Sequence, residues 1–141
     1  MGYSLTIVSL KAYYPSDAVL VTNLAAKTTV SGSYVKLKEI RIAGDIVPGS
    51  LFRFKFDLRN LNAVRLAYAR IYINGIAAGT EQTRNANVVA TFTEDLTHAG
   101  WNVGDTIELW AYLAGGGGDT AEVSNFKICG IGSEFENTLG A

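Results

Sequence analysis

The segment LFRFKFDLR, residues 51–59, alternates strictly between apolar and charged side chains. Its apolar positions after the first leucine are Phe52, Phe54, Phe56 and Leu58, and its charged positions are Arg53, Lys55, Asp57 and Arg59. Successive side chains of a β-strand point to opposite faces of the sheet, so a period of two predicts a strand with one buried and one wet face. Such a strand needs a second layer to cover its apolar face.

Further segments combine β-branched and aromatic residues between turn formers, and they predict strands at residues 3–10, 18–22, 34–42, 67–73, 88–93, 106–112 and 121–128. Many short strands separated by turn signals are typical of antiparallel sandwiches and barrels. We therefore expect an all-β antiparallel β-sandwich of about eight strands. Its core should be led by Phe52, Phe54, Phe56, Leu58, Ile107 and Leu109.

Two places depart from simple alternation. In residues 34–42 the apolar phase changes after Leu37, and because a slip of one residue would turn every later side chain over, we expect a β-bulge near Lys38. Residues 94–100, EDLTHAG, predict a single helical turn that begins at Glu94–Asp95 and ends at Gly100.

The stretch RIYINGIAAGTEQT, residues 70–83, contains two glycines, Gly75 and Gly79, followed by a hydroxyl residue. A phosphate-binding loop requires a lysine after its second glycine and a helix behind it, and neither is present. Asn-Gly between apolar β segments is instead the strongest short hairpin signal, because a type I′ turn needs positive φ at both central positions. We therefore expect a hairpin at Asn74–Gly75, with Gly79 at a bulge or a strand end.

The length, net charge and apolar runs of the chain limit the classes of function that it can have. A chain of 141 residues suits one domain, and a net charge of −1 without basic runs predicts binding neither to nucleic acid nor to anionic membranes. No run of eighteen apolar residues predicts a transmembrane helix, and the first residues, MGYSLTIVSLKAYYP, do not read as a signal peptide.

Catalytic machinery is not predicted. His98 and Cys129 are the only residues of their types, so a triad or a multi-histidine metal site has no evident set of members, and we expect a loop histidine and a buried thiol. Glu108 and Glu122 have the residue type for glycoside hydrolysis, but both occupy alternating polar positions and are expected to be surface charges. We predict no enzyme activity, no catalytic residue and no cofactor.

Three carboxylates, Glu94, Asp95 and Asp105, flank the loop HAGWNVGD. Oxygen ligands of this kind hold Ca²⁺ in some proteins, but the spacing of a calcium-binding loop is missing. The alternative is that Asp105 closes a tight turn while Glu94 and Asp95 begin the predicted helical turn, and we favour it. No metal site is predicted.

Aromatic side chains form the most informative remaining set. Trp110 and Tyr112 share a face of strand 106–112 opposite Ile107 and Leu109, and Tyr68 and Tyr72 share a face of strand 67–73 with Arg70. If Ile107 and Leu109 point inward, these rings and Trp101 offer a sugar-stacking platform or a subunit interface. If the outer face is covered, they are core residues. The sequence leaves both readings open.

Three stretches, ARIYINGIAAGTEQT, FTEDLTHAGWNVGDTIELWAY and AEVSNFKICG, together resemble a pattern of small virion proteins of bacterial and archaeal viruses over residues 65–130. The resemblance implies a jelly-roll-like or β-tulip-like sandwich that assembles as a homo-oligomer on a capsid or tail. It implies no catalytic residues.

From these observations we predict a virion structural protein, made in the host cytoplasm, that decorates or stabilises a capsid as a homo-oligomer, with a trimer as the first expectation. The single domain, residues 1–141, would carry an N-terminal strand or arm (1–30) and a flexible C-terminal tail (130–141), with apolar residues that dock on a neighbouring subunit. These are Tyr3, Leu5, Ile7, Phe135 and Leu139. The alternatives are a carbohydrate- or receptor-binding module of a tail fibre, and a subunit of an extracellular filament.

Overall fold

The computed structural model describes residues 15–115, 119–132 and 135–141. The strands of this part of the chain are β1 (Val19–Asn23), β2 (Lys27–Thr29), β3 (Val35–Ile42), β4 (Leu51–Asn60), β5 (Ala67–Ile73), β6 (Ile76–Ala77), β7 (Gln82–Arg84), β8 (Ala90–Thr97), β9 (Thr106–Leu113), β10 (Ala121–Cys129) and β11 (Phe135–Leu139). The strand predicted at residues 3–10, with Tyr3, Leu5 and Ile7, lies outside the described residues. Within them, no helix is long and apolar enough to cross a membrane.

The strands form two antiparallel sheets. The first sheet has the order β1-β10-β4-β8, with β2 also beside β10, and the second has the order β11-β3-β9-β5-β6, with β7 also beside β5. The prediction of an antiparallel β-sandwich is therefore confirmed.

The core lies between the inner faces of the two sheets. The six residues expected to lead it are each no more than 3% exposed: Phe52, Phe54, Phe56, Leu58, Ile107 and Leu109. Strand β4 is buried at every second position along its whole length, as its alternation predicts. Because Ile107 and Leu109 point inward, the neighbouring side chains of β9 project from the outer face of the second sheet.

The predicted bulge is present, since the register between β3 and β9 shifts between Lys36 and Lys38. The shift turns Lys38 inward, where it is 0% exposed. Its Nζ donates hydrogen bonds to Asn23 Oδ1 at 2.8 Å and to the Gly140 carbonyl at 2.7 Å. Burial, with a smaller contribution from the like charge of Lys27, lowers the pKa of Lys38 to about 8.

The predicted helical turn at residues 94–100 is wrong. Strand β8 continues to Thr97 and pairs with β4 over its whole length, from Leu58 opposite Ala90 to Leu51 opposite Thr97. Local acidic residues favour a helix start only weakly, and the hydrogen bonds that a long neighbouring strand offers outweigh that preference.

The C-terminal segment is not an unpaired tail in this structure. Phe135 pairs with Ile42 at the start of β11, and its ring lies 5.5 Å from that of Phe52. Leu139 remains 41% exposed at the end of the strand. The edge of β3 is thus covered by the chain's own β11, whereas the sequence analysis expected Phe135 and Leu139 to dock on a neighbouring subunit.

Candidate functional site

The outer face of the second sheet brings together four aromatic residues named from the sequence. In the register of β5 and β9, Tyr68 lies opposite Tyr112, Arg70 opposite Trp110 and Tyr72 opposite Glu108. All four rings are half-buried and none belongs to the core between the sheets. Of the two readings that the sequence left open, the structure selects the one in which these rings project from the outer face.

The rings pack against one another. Tyr68 and Tyr112 are stacked with centroids 4.5 Å apart, and Tyr72 and Trp110 are stacked at 4.6 Å. Tyr34 joins the two stacks, because its ring contacts Tyr112 at 4.6 Å and Tyr72 at 5.6 Å in edge-on geometry. These five residues are called the aromatic face below. Sequence analysis missed Tyr34 because it treated this residue as the first position of the strand predicted at 34–42, whereas β3 begins at Val35 and Tyr34 precedes it.

Glu108 lies in the floor of the aromatic face and is 3% exposed, so the expectation that it is a surface charge is wrong. Its Oε1 accepts a hydrogen bond from Trp110 Nε1 at 2.8 Å, and its Oε2 accepts one from Thr106 Oγ1 at 2.5 Å. A carboxylate in this position fixes the orientation of the indole. Glu122, on the first sheet, instead accepts a hydrogen bond from Arg59 Nε at 2.7 Å.

The Asn-Gly hairpin is confirmed and leads to one edge of the aromatic face. Asn74 and Gly75 have φ values of 51° and 76°, and Ile73 pairs with Ile76 across the turn. The amides of Ala78 and Gly79 then both donate to the carbonyl of Ile71, at 3.0 and 2.9 Å. Two consecutive donors on one acceptor are the pattern of a bulge, as expected for Gly79.

A carboxylate from the first sheet holds the residues that follow the bulge. Glu94, on edge strand β8, accepts hydrogen bonds from the Thr80 amide at 2.9 Å and from Thr80 Oγ1 at 2.7 Å. The approach is so close that a Cβ at position 79 would lie 2.5 Å from Glu94 Oε1. An alanine at position 79 would therefore displace the Glu94 side chain. Residues 79–81, named the clamp segment below, are tied by this carboxylate across the open side of the sandwich.

The clamp segment in turn positions two side chains of the face. The Gly79 carbonyl accepts a hydrogen bond from Arg70 Nε at 2.5 Å, and Glu81 Oε2 accepts one from the Tyr34 hydroxyl at 2.7 Å. Burial, and then the hydrogen bond to the Glu81 carboxylate, raise the pKa of Tyr34 well above its ordinary value. Tyr34 consequently stays a hydrogen-bond donor at neutral pH.

Charged groups surround the rings. On β3, Lys36 lies opposite Trp110, and its Nζ is 3.0 Å from Glu39 Oε1. Burial raises the pKa of Glu39, but hydrogen bonds from Thr138 and Lys36 outweigh it and lower that pKa overall. Glu39 is therefore an ionised and occupied carboxylate at neutral pH.

The three carboxylates considered for calcium do not converge. Glu94 binds Thr80 as described, Asp95 Oδ1 accepts from Arg53 Nε at 2.8 Å, and Asp105 Oδ2 accepts from the Asn102 amide at 2.9 Å. The last contact closes the expected tight turn. Over the described ranges, no group of three His, Cys, Asp or Glu side chains is placed to hold a metal ion.

Trp101 does not belong to the aromatic face, contrary to the expectation of an exposed ring. It is 3% exposed, its Nε1 donates to the Ser50 carbonyl at 2.8 Å, and its ring packs edge-on against Phe52 at 5.5 Å. The indole therefore covers apolar surface at one end of the core. His98 lies beside it, with ring centroids 5.2 Å apart.

Cys129 is 0% exposed at the end of β10, as expected of a buried thiol. Burial raises the pKa of this thiol, which keeps it protonated at neutral pH.

No protein-family model matches the chain, and no curated protein matches it in sequence. Among solved structures, it is similar to the EclA C-terminal domain, described as a sugar-binding protein, with 12% identity over 74% of this chain and 77% of that chain and a TM-score of 0.52. It is also similar to the insecticidal delta-endotoxin Cry8Ea1 from Bacillus thuringiensis, with 10% identity over 76% of this chain and 20% of that chain and a TM-score of 0.50. The CBM36-1 domain of a multidomain xylanase from the hindgut metagenome of Trinervitermes trinervoides gives 16% identity over 82% of this chain and 76% of that chain, with a TM-score of 0.46. At these identities, the property shared with the first two structures, whose TM-scores are 0.52 and 0.50, is the β-sandwich fold.

Proposed function

We propose that this chain is a carbohydrate-binding β-sandwich domain that binds sugar on its aromatic face. The observation that carries the proposal is the group of five rings on the outer side of a sheet, where alternation ordinarily places polar residues. Aromatic rings provide apolar surface for the C–H groups of a sugar, and their hydroxyl and indole groups lie close to polar partners. A few polar groups beside an apolar surface is the usual composition of a small-molecule site.

The rigidity of the face supports the proposal. Glu108 orients Trp110, and Glu81 holds Tyr34 across the other rings. A surface whose side chains are already ordered loses less conformational entropy when a ligand binds. Rings that served only to cover the sheet would not need two carboxylates to hold their orientation.

The fold is compatible with this function. The structure with the highest TM-score reported above belongs to a domain described as sugar-binding. Fold alone does not carry function from one protein to another, so the proposal depends on the aromatic face.

The test is a glycan array with the purified domain, followed by calorimetric titration of the glycans that bind. We expect binding to at least one class of glycan and a loss of at least about thirtyfold in affinity for Trp110→Ala, since truncated aromatic anchors commonly cost 2 kcal/mol or more. Thr93→Ala, at an exposed position of β8 on the first sheet, is the control and should bind as wild type. Thermal melts of all three proteins verify folding.

The same face would also suit a subunit interface, and sedimentation separates the two functions. A wild-type oligomer that dissociates on Trp110→Ala, in a protein that binds no glycan, would make the face an assembly surface and overturn the proposal. Capsid decoration, homo-oligomerisation and the lack of enzyme activity remain predictions from the sequence.

A further inference from the structure

Arg70 occupies the middle of the aromatic face. On its own strand it lies between Tyr68 and Tyr72, and across the strand pair it lies opposite Trp110. Neighbouring strands are about 4.8 Å apart, so one monosaccharide resting on the indole can also reach the guanidinium. A ligand centred on the face therefore lies within reach of the Arg70 guanidinium.

The guanidinium of Arg70 is anchored but not neutralised. Its Nε donates to the Gly79 carbonyl at 2.5 Å, which orients the plane of the group. Among the described residues, no carboxylate pairs with Arg70 and no acceptor binds its two Nη amino groups, whereas Arg41, Arg53 and Arg59 each pair with an Asp or Glu. Half-buried charge without a partner is costly, because water solvates it incompletely.

Each of the three carboxylates near the face already accepts a hydrogen bond from another residue. Glu39 pairs with Lys36, Glu81 accepts from Tyr34, and Glu108 accepts from Trp110. None of these three contacts involves Arg70. Among the described residues, Arg70 is thus the cation of the face that no carboxylate neutralises, since Lys36 already pairs with Glu39.

We propose that the ligand is an acidic glycan, and that Arg70 binds the carboxylate of a uronic-acid type of sugar through both Nη groups. This inference rests on the proposed function and names the ligand class of the same site. A planar guanidinium with a fixed Nε presents two parallel donors that match the two oxygens of a carboxylate. The clamp segment acts as a positioning element, because its Gly79 carbonyl sets the direction of those donors.

The experiment compares matched ligands. Oligosaccharides of galacturonic and glucuronic acid are titrated calorimetrically with their carboxylates free and as the neutral methyl esters. We expect the free acids to bind at least tenfold more tightly, with an affinity that falls as salt is raised, because ionic contacts are screened. Arg70→Gln should weaken the acids by about tenfold to a hundredfold and leave the esters little changed, as expected for charge-assisted hydrogen bonds.

Arg84→Gln is the matched control. Arg84 also donates through Nε to a backbone carbonyl, that of Val88 at 2.9 Å, but it lies opposite Ala67 and away from the aromatic face. Arg70→Lys keeps the charge without the two parallel donors and should fall between wild type and Arg70→Gln. Thermal melts show that each variant is folded.

The remaining outcomes distinguish a failure of the acidic-ligand inference from a failure of the proposed function. Equal binding of acids and esters, or an equal loss of both in Arg70→Gln, would overturn the acidic-ligand inference and leave carbohydrate binding intact. Failure of the wild type to bind either form, together with a blank glycan array, would overturn the proposed function itself.

Discussion

The two outer faces of the sandwich are built on strands of the same alternating pattern, yet they differ in chemistry. On the first sheet, β4 presents charged residues to solvent, and they pair within the face or with adjacent loops: Arg53 with Asp95 at 2.8 Å, Arg59 with Glu122 at 2.7 Å. On the second sheet, β5 and β9 present stacked rings around Arg70, a cation without a carboxylate partner in the described residues.

This difference indicates which of the two outer faces has side chains available to bind a ligand. Exposed charges that neutralise one another form a solvated surface and contribute little energy. Rings and an open guanidinium, held by a buried carboxylate and by the clamp segment, keep their interactions available for a ligand. One face is therefore a surface of paired charges, and the other is the candidate site.

The largest effect is expected from a substitution, Gly79→Ala, that disturbs the contact between the two sheets. In Gly79→Ala the new methyl group would lie 2.5 Å from Glu94 Oε1 and 3.2 Å from Ile71 Cβ, so the contact of Glu94 with Thr80 must shift. We expect the free energy of unfolding to fall by about 1–3 kcal/mol, because Glu94 would lose its hydrogen bonds to Thr80 and the Ile71 Cβ would have to move, and we expect glycan binding to weaken. Chemical denaturation measures the first effect and calorimetry the second.

Gly100→Ala is the control for that substitution. The nearest atom to its new methyl group is the flexible end of Asn102 at 3.3 Å, so stability should change by no more than about 0.5 kcal/mol. A Gly79→Ala protein as stable as Gly100→Ala would show that the clamp segment is not under steric constraint.

The second prediction concerns the pH dependence of stability that Lys38 causes. This cation is buried in the second sheet, whereas the cations of the first sheet lie at the surface. The pKa of Lys38 is about 8 in the folded protein, below its ordinary 10.5. Between these two values the unfolded chain keeps a proton that the folded chain has released, so this group makes stability rise with pH. The rise should be on the order of 1–2 kcal/mol after allowance for hydration.

Urea denaturation of wild type and Lys38→Met from pH 7 to 11 isolates this contribution as the difference between the two curves. The difference should grow in favour of wild type through that window. Ile40→Val, a neighbouring core variant with no titrating group, should differ from wild type by a constant amount. A flat difference for Lys38→Met would mean that the amine titrates normally.

The smallest effects compare one pair on each face by double-mutant cycles. The Tyr68–Tyr112 stack should show a coupling of about 0.5–1.5 kcal/mol that salt hardly changes. The Arg59–Glu122 pair should show about 0.2–1 kcal/mol and lose most of it in 1 M salt. Equal salt dependence of the two couplings would remove the distinction between the faces.

Much of the architecture was predictable because it depends on neighbours in sequence. Alternation identified β4 and its buried face, the phase change identified the bulge at Lys38, and Asn74–Gly75 identified the hairpin. These features follow from the two-residue period of a strand and from the φ angles that a tight turn requires.

The details of the site were less predictable because they depend on contacts between distant residues. Tyr34 is held against the rings in part by Glu81, 47 residues away, which accepts a hydrogen bond from its hydroxyl. Trp101 turns into the core because Phe52 and the Ser50 carbonyl are there to receive it. Glu108 is likewise buried because side chains from neighbouring strands pack around it.

The amino-acid sequence by itself determined the fold class, the alternation of faces and the position of the turns, since these reflect local geometry and the burial of apolar side chains. Only the tertiary structure decided which face of β9 is outside, which rings meet, and which charge among them lacks a partner. Strand register and the stacking of distant side chains determine those properties, and a pattern read along one strand does not contain them.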